Sequence, residues 1–194
     1  MKDISYALGL SIASNLKNSG VEALDIEHFT IGLNAILNNE EISMSPDEVN
    51  NILNEFFEGM QKKAEGNNSE SGSAFLAENK NKPGVITLPS GLQYSVITEG
   101  TGVKATSKNQ VKVHYTGTLI DGTVFDSSVS RGEPATFGVT QVISGWVEGL
   151  QLMSKGSKYK FFIPSNLAYG TQGAGKTIGP NATLIFDVEL LEIM

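Results

Sequence analysis

The first sixty residues carry apolar side chains at the spacing of α-helices. Ile4, Leu8, Ile12 and Leu16 recur at every fourth position, and Gly20 follows them. Side chains four residues apart lie on the same face of a helix, and glycine is common just beyond a helix end. This segment therefore predicts one amphipathic helix that ends before Gly20.

Two further helices are predicted after it. Asp25 can cap a helix whose apolar side chains stand at positions 29, 33, 36 and 37. The third helix has the strongest start signal, because Ser45, Pro46 and Glu48 match an N-cap, a first helical position and the end of a capping box. Its apolar face consists of Val49, Ile52, Leu53, Phe56, Phe57 and Met60.

A stretch poor in apolar residues follows the third helix. Residues 66–73 read Gly-Asn-Asn-Ser-Glu-Ser-Gly-Ser. They predict either a hinge or a weak part of a longer helix that resumes over residues 74–80. Pro83 and Gly84 are expected to end that helix, because proline disfavours helical backbone in the residue before it.

Beyond residue 83 the spacing of apolar residues changes to that of strands. Apolar and polar residues alternate over 111–115 and 183–191, and residues 159–163 form a short aromatic-rich run. Asp121-Gly122 is a hairpin signal between residues 115–120 and 123–125. One short helix is predicted at 147–153. Together these elements predict an α+β fold, in which an antiparallel sheet wraps around a helix.

All of the net charge of the chain lies in its first part. The 194 residues carry a formal charge of −7. Residues 1–82 hold 6 Lys against 13 Asp and Glu, whereas residues 83–194 hold 8 basic and 8 acidic residues. Composition and spacing together predict two modules, a helical region over 1–82 and a β-rich domain over 83–194.

The residue inventory excludes several kinds of function. The chain has no cysteine, which excludes a disulfide scaffold, a thiolate nucleophile and a Cys-ligated zinc site. Its two histidines, His28 and His114, lie far apart in the sequence, so a histidine metal site is not expected. The acidic balance argues against nucleic acid as a partner. We expect neither a metal nor another cofactor.

The sequence contains no run of about 18 apolar residues, so no membrane span is expected. The first residues also lack the apolar segment of a signal peptide. The chain as written is therefore predicted to be cytoplasmic, or periplasmic if Met1 replaces a removed signal peptide.

The short helices of residues 1–82 predict an association. Three helices in about 65 residues bury little apolar surface by themselves, and short isolated helices are marginal in water. Their apolar faces can pack against a second copy of the chain or, as an intramolecular cap, against the β-rich domain. The symmetric homodimer is the favoured alternative.

Residues 170–177, Gly-Thr-Gln-Gly-Ala-Gly-Lys-Thr, match the pattern of a phosphate-binding loop. Such a loop needs a helix directly after it, because the helix N-terminus supplies part of the anion site. Here Ile178, Gly179 and Pro180 follow, and then a strand. The segment therefore predicts a flexible glycine-rich hairpin loop, and nucleotide binding is the weaker hypothesis.

Five motifs of the second module occur in a fixed order. They are Val-His-Tyr-Thr-Gly (113–117), Asp-Gly-Thr-Val-Phe-Asp-Ser-Ser (121–128), Val-Ile-Ser-Gly-Trp-Val-Glu-Gly-Leu (142–150), Leu-Ala-Tyr-Gly (167–170) and Ala-Thr-Leu-Ile-Phe-Asp-Val-Glu-Leu (182–190). Together they resemble the FKBP-type peptidyl-prolyl cis–trans isomerases over residues 84–194. The acidic helical segment, followed by Glu-Asn-Lys-Asn-Lys-Pro-Gly (78–84) and Leu-Pro-Ser-Gly-Leu-Gln-Tyr (88–94), resembles the macrophage infectivity potentiator and FklB-like bacterial subgroup.

The resemblance implies a site for the isomerisation of X–Pro bonds. Trp146 is expected to form the pocket floor, and the walls are expected to consist of Tyr115, Phe125, Phe137, Val142, Ile143 and Phe186. Tyr169 is expected to place its hydroxyl at the mouth, and Ile178 to close one edge. Asp126 is expected beside the twisted amide, held by Tyr115 and Arg131, although an ordinary ion pair of Asp126 with Arg131 is the alternative.

The resemblance also implies partners. These are proline-containing peptides, unfolded proteins, macrolide inhibitors such as rapamycin, and a second chain interlocked through the N-terminal helices. Ala135, Ala174 and Gly179 depart from well-known members of the family, which implies a more open pocket rim. A mainly non-catalytic chaperone or partner-binding dimer is the alternative function.

Overall fold

The structure is a computed structural model, and it describes residues 1–21 and 23–194. The described chain divides into two compact units, Met1–Lys62 and Lys63–Met194.

The first unit consists of helices. Helix α1 spans Lys2–Asn18, helix α2 spans Ile26–Asn38, and helix α3 begins at Pro46 and continues into the second unit as far as Asn79. All three helices agree with the apolar spacing of the sequence. No residue of α1 or α2 is buried, so the apolar faces of these two helices stand open in the described chain.

Two of the helix starts carry the predicted caps. Asp25 accepts a hydrogen bond of 3.1 Å from the backbone N–H of His28. The Glu48 carboxylate accepts from the backbone N–H of Ser45 at 2.8 Å, and the Ser45 hydroxyl accepts from the backbone N–H of Glu48 at 3.3 Å. This reciprocal exchange is a capping box, which fixes the first turn of α3.

Helix α3 is continuous through residues 66–73, so of the two alternatives the longer helix is the one observed. Gly72 is buried, and a Cβ atom there would lie 2.4 Å from Oγ1 of Thr183. The helix approaches its neighbour so closely that only glycine fits, and this packing offsets the low helix propensity of the stretch. The end of α3 thus belongs to the second unit, which begins at Lys63.

The second unit is built on one antiparallel sheet. Its strands are β1 (Val85–Thr87), β2 (Gln93–Thr98), β3 (Gln110–Leu119), β4 (Val124–Ser127), β5 (Ala135–Gly138), β6 (Lys158–Ile163) and β7 (Leu184–Ile193). The order is β1-β2-β6-β7-β3-β4, and β5 pairs with the first half of β3. The predicted strands and the hairpin at Asp121-Gly122 are therefore present, in an α+β fold.

The second unit also contains two short α-helices, α4 (Ser128–Arg131) and α5 (Ser144–Leu150), and two 3₁₀ helices, Ser165–Leu167 and Gly170–Gln172. The sequence predicted α5 at 147–153, and that placement was wrong by three residues. Gly145 lies inside the helix, and a Cβ there would stand 2.5 Å from Cγ2 of Ile163, so the close contact requires glycine. Helix α5 therefore lies directly against β6, and its glycines are packing positions and not a boundary.

Candidate active site

A cavity of about 700 Å³ opens in the second unit. Ten of the eleven residues expected at the site line it, namely Tyr115, Phe125, Asp126, Phe137, Val142, Ile143, Trp146, Tyr169, Ile178 and Phe186. Five further residues also line the cavity, namely Gln141, Ala174, Gly175, Lys176 and Thr177. The fold thus brings together side chains from β3, β4, β5, β7, α5 and the loops between them.

Trp146 is the centre of the aromatic cluster. Only 4% of the residue is exposed, and its ring meets three others edge to face, with centroid distances of 5.3 Å to Tyr115, 5.8 Å to Phe137 and 5.2 Å to Phe186. Edge-to-face contacts are a favoured arrangement of aromatic rings and restrict their rotation. The floor of the cavity is therefore apolar and held in place from three sides.

The wall next to this floor depends on a glycine. Phe125 and Phe186 also meet edge to face, at 5.4 Å. A Cβ atom at Gly117 would lie 2.6 Å from the Phe125 ring and 2.8 Å from the Phe186 ring. Because Gly117 has no side chain, the rings of Phe125 and Phe186 can both pack against this part of β3.

Asp126 is the acidic group of the cavity wall. Its carboxylate accepts hydrogen bonds from the Tyr115 hydroxyl and from the Arg131 guanidinium, which also donates to the Tyr115 hydroxyl at 3.1 Å. Arg131 ends helix α4 and does not line the cavity itself. Arg131 is the one expected residue that does not line the cavity, and it contacts the site only through Asp126 and Tyr115.

These contacts determine the protonation states of Asp126 and Tyr115. Partial burial raises the pKa of Asp126, but the hydrogen bonds from Tyr115 and Arg131 outweigh it and hold the pKa below the ordinary 3.8. Burial, followed by the hydrogen bond to Asp126, raises the pKa of the Tyr115 hydroxyl above 10.0. At neutral pH Asp126 is therefore ionised and Tyr115 is protonated.

Ser128 supports this arrangement and was not singled out from the sequence. Its hydroxyl is fully buried, accepts from the Tyr115 backbone N–H at 2.8 Å and lies 3.2 Å from the Tyr115 carbonyl oxygen. The His114 ring nitrogen Nδ1 lies 3.1 Å from the same hydroxyl. Ser128 could have been identified from the sequence, because it lies two residues after Asp126 in the second ordered motif.

Tyr169 and Ile178 lie at the two ends of the glycine-rich loop. Tyr169 is 40% exposed, whereas Ile178 is buried and forms an antiparallel bridge with Ala174. No helix follows Lys176 and Thr177, so the segment has the hairpin form expected from its sequence. Gly175, Lys176 and Thr177 line the cavity mouth, and no sequence motif other than the phosphate-loop pattern had marked them.

Comparisons with known families match the two parts of the chain. Residues 101–191 match the model of the FKBP-type peptidyl-prolyl cis–trans isomerases, and residues 1–96 match the domain that is amino-terminal to such isomerases. The 22 kDa FKBP-type isomerase of Escherichia coli K12 is 45% identical, over 98% of this chain and 94% of the relative. The chain belongs to the FKBP-type peptidyl-prolyl cis–trans isomerases.

Other FKBP-type relatives also match along nearly the whole chain. A probable isomerase named FkpA from Neisseria meningitidis is 46% identical, over 100% of this chain and 74% of the relative. The outer membrane protein MIP of Legionella longbeachae is 43% identical, over 98% and 84%. The crystal structure of FkpA from Escherichia coli matches with a TM-score of 0.74 at 35% identity, over 98% of this chain and 95% of that one.

The family membership establishes the activity of this FKBP-type chain as X–Pro isomerisation.

Within residues 1–21 and 23–194, no group of three His, Asp or Glu side chains is placed to hold a metal ion. In the same described residues, none of the helices combines the length and apolar character needed to cross a bilayer.

Proposed function

We propose that this chain isomerises X–Pro bonds in the cavity over Trp146, within an isomerase domain of residues 83–194. The observation that carries this proposal is the convergence of the aromatic cluster and the ionised Asp126 on one cavity of about 700 Å³. The cavity offers the proline ring an apolar floor and places one fixed charge at its wall.

The reaction needs no covalent step. Amide resonance imposes a barrier of about 18–20 kcal/mol on rotation about the C–N bond. The planar amide has more charge separation than the twisted transition state, so a cavity that excludes water favours the twisted form. A thousandfold acceleration requires about 4 kcal/mol. An apolar cleft can supply that without a nucleophile.

Asp126 is proposed to stand beside the twisted amide and to stabilise it electrostatically. Arg131 and Tyr115 hold the carboxylate in one orientation, which supports this role because a fixed charge needs no reorganisation during the reaction. Tyr169 is proposed to donate its hydroxyl hydrogen bond to a substrate carbonyl at the mouth, which its 40% exposure permits. The alternative for Asp126 is a structural ion pair with Arg131.

The residue roles are tested by kcat/KM on a short proline peptide. Asp126→Asn removes the proposed charge and Tyr169→Phe removes the proposed hydrogen bond to substrate, and each is expected to lower kcat/KM about tenfold. Asp121→Asn and Tyr6→Phe are the matched controls, because Asp121 bonds the hairpin turn and Tyr6 is 72% exposed on α1. Wild-type-like activity of the first two variants would refute the roles.

We also propose that residues 1–82 form a homodimer through their open apolar faces. Leu8 is 58% exposed, Ile36 64% and Phe56 45%, and apolar helix faces as open as these are typical of an interaction surface. Light scattering of the full chain should give twice 20.7 kDa. Phe56→Glu should shift it towards monomer, and Val103→Glu, at an 83% exposed position of the second unit, should not.

The cavity and the helices of residues 1–82 each support one further binding property. The cavity is within the size range of drug-binding pockets, which supports inhibition by macrolides such as rapamycin. A chaperone activity beside the isomerase is also proposed, in which unfolded chains bind to apolar surface of residues 1–82 that the dimer leaves uncovered. Rapamycin should abolish isomerisation of a proline peptide but leave suppression of aggregation intact if the two activities use different surfaces.

The compartment is proposed to lie outside the cytoplasm. The name of the Legionella relative, an outer membrane protein, supports this alternative over the cytoplasmic one. Fractionation of cells that express the natural gene tests it, since recovery with the cytosolic fraction would restore the cytoplasmic prediction.

A further inference from the structure

The outer wall of the cavity is a loop whose two ends meet. Residues 174–178 line the cavity, and Ala174 and Ile178 exchange backbone hydrogen bonds of 2.8 and 3.2 Å. A hydrogen bond of 2.8 Å from the Asn181 N–H to the Gly170 carbonyl closes the base of the loop. Tyr169 directly precedes this base. The position of the base therefore sets where Tyr169 and Ile178 stand.

Helix α3 holds this base from outside the cavity. The side-chain amide of Asn68 donates a hydrogen bond of 2.8 Å to the Pro180 carbonyl. The side chain of Asn181 reaches the carbonyl of Glu65 at 3.5 Å. Positions 65, 68 and 72 are spaced i, i+3 and i+7 and so share one helix face, and Gly72 packs against Thr183, just beyond the base.

The same face of α3 is anchored in the sheet one turn further on. The rings of Phe75 and Phe162 lie 6.0 Å apart, and the Gln93 side chain donates to the Leu76 carbonyl at 2.9 Å. Since Phe162 and Gln93 belong to β6 and β2, this part of the helix is fixed to the sheet. It can therefore act as a support for the loop base.

We propose that residues 65–72 of α3 position the outer wall of the proline pocket, with Asn68 as the main positioning residue. The proposal rests on the proposed function, because it takes Ile178 and Tyr169 as parts of the substrate site. Trp146 and Asp126 are held by α5, β4 and α4, which do not depend on Asn68. Loss of the Asn68 bond therefore affects substrate binding more than the isomerisation step.

The test uses the full chain with Asn68→Ala and Asn68→Asp. Asn67→Ala is the matched control, because Asn67 is the same residue type on the same helix and is exposed. We expect Asn68→Ala to raise KM for a short proline peptide about three- to tenfold, with kcat changed less than about twofold. Asn68→Asp should raise KM at least as much, because a carboxylate cannot donate to the Pro180 carbonyl.

Amide hydrogen exchange gives a second readout that does not depend on activity. Exchange of residues 174–181 should be about fivefold faster or more in both Asn68 variants and unchanged in Asn67→Ala. Asn68→Gln keeps an amide donor on a longer side chain. A KM between those of wild type and Asn68→Ala supports a hydrogen bond as the cause, and a KM equal to that of Asn68→Ala contradicts it.

KM and exchange in Asn68→Ala equal to those of Asn67→Ala would overturn the proposal. Ile178→Ala separates this failure from that of the proposed function. If Ile178→Ala raises KM but Asn68→Ala does not, only the role of α3 is wrong. If Ile178→Ala leaves KM unchanged, the pocket wall itself is wrongly assigned.

Discussion

The side-chain amide of Asn79, at the end of α3, donates a hydrogen bond of 2.9 Å to the side-chain carbonyl of Gln93 in β2, and both residues are buried. Buried amides depend on such partners, because neither can turn to water instead. Gln93 also bonds the Leu76 carbonyl, so the pair ties the last turn of the helix to the sheet.

Removal of one member of this pair should be costly. Asn79→Ala is expected to lower the free energy of unfolding by about 1–3 kcal/mol, because the Gln93 carbonyl loses its donor in a dry site. Urea unfolding measures the change, and Asn67→Ala, at an exposed amide on the same helix, is the control. In a double-mutant cycle with Gln93→Ala, strictly additive effects would contradict a direct interaction.

Two glycines of α3 should respond to alanine in opposite directions. A Cβ atom at Gly66 would meet nothing within 4 Å, so Gly66→Ala is expected to stabilise the chain by about 0.5–1 kcal/mol through helix propensity. At Gly72 the new methyl would overlap Thr183, and a loss of about 1–3 kcal/mol is expected. Thermal unfolding of both variants tests this, and stabilisation by Gly72→Ala would disprove the close approach.

The ion pair of Asp126 should make stability depend on pH in acid. The pKa of Asp126 is lower in the folded chain than its ordinary 3.8, so the ionised carboxylate stabilises the fold above that value. This contribution is lost as the pH falls through the folded pKa. The stability difference between wild type and Asp126→Asn should be constant above about pH 5 and shrink below about pH 4.

The size of this effect is modest. The Asp126 and Arg131 side chains are 39% and 52% exposed, which limits the contribution to about 1 kcal/mol or less. Urea unfolding from pH 3 to pH 7 measures it, with Glu133→Gln as an exposed control. A difference that does not vary with pH would show that Asp126 has the same pKa in both states.

Ser128→Ala should weaken the site without touching the cavity. The variant leaves the buried Tyr115 backbone N–H without its 2.8 Å partner, and a destabilisation of about 1–3 kcal/mol is expected. Because Tyr115 in turn holds Asp126, kcat/KM on a proline peptide should fall as well. Ser130→Ala, on the exposed side of α4, is the matched control. Equal behaviour of the two variants would contradict this support.

Local patterns of the sequence predicted the elements, because the spacing of apolar residues and the capping box at Ser45 act within a few residues. The strands follow for the same reason, as in the alternating burial of β7. The conformation of residues 66–73 could not be predicted from such local patterns. Gly72 packs against Thr183, which lies more than a hundred residues further along the chain, and local patterns do not reveal such a contact.

The resemblance carried by the ordered motifs predicted eleven residues for the site, and ten of them line the cavity. Their catalytic roles stay predictions. Gln141 and Lys176 were missed, because a loop residue reaches a cavity only through the course of its backbone. The start of α5 was misplaced for a related reason. A glycine such as Gly145 is typical of a helix boundary. Here it is required by the close contact with the side chain of Ile163, which the local sequence does not show.

Trp146 is the single tryptophan of the 194 residues, and it is 4% exposed at the base of the cavity. All indole fluorescence of the protein therefore originates from one buried chromophore in contact with the proposed substrate site. A molecule that enters the cavity changes the surroundings of that chromophore with no background from elsewhere in the chain. The protein carries its own optical reporter of occupancy, so binding can be titrated without a label.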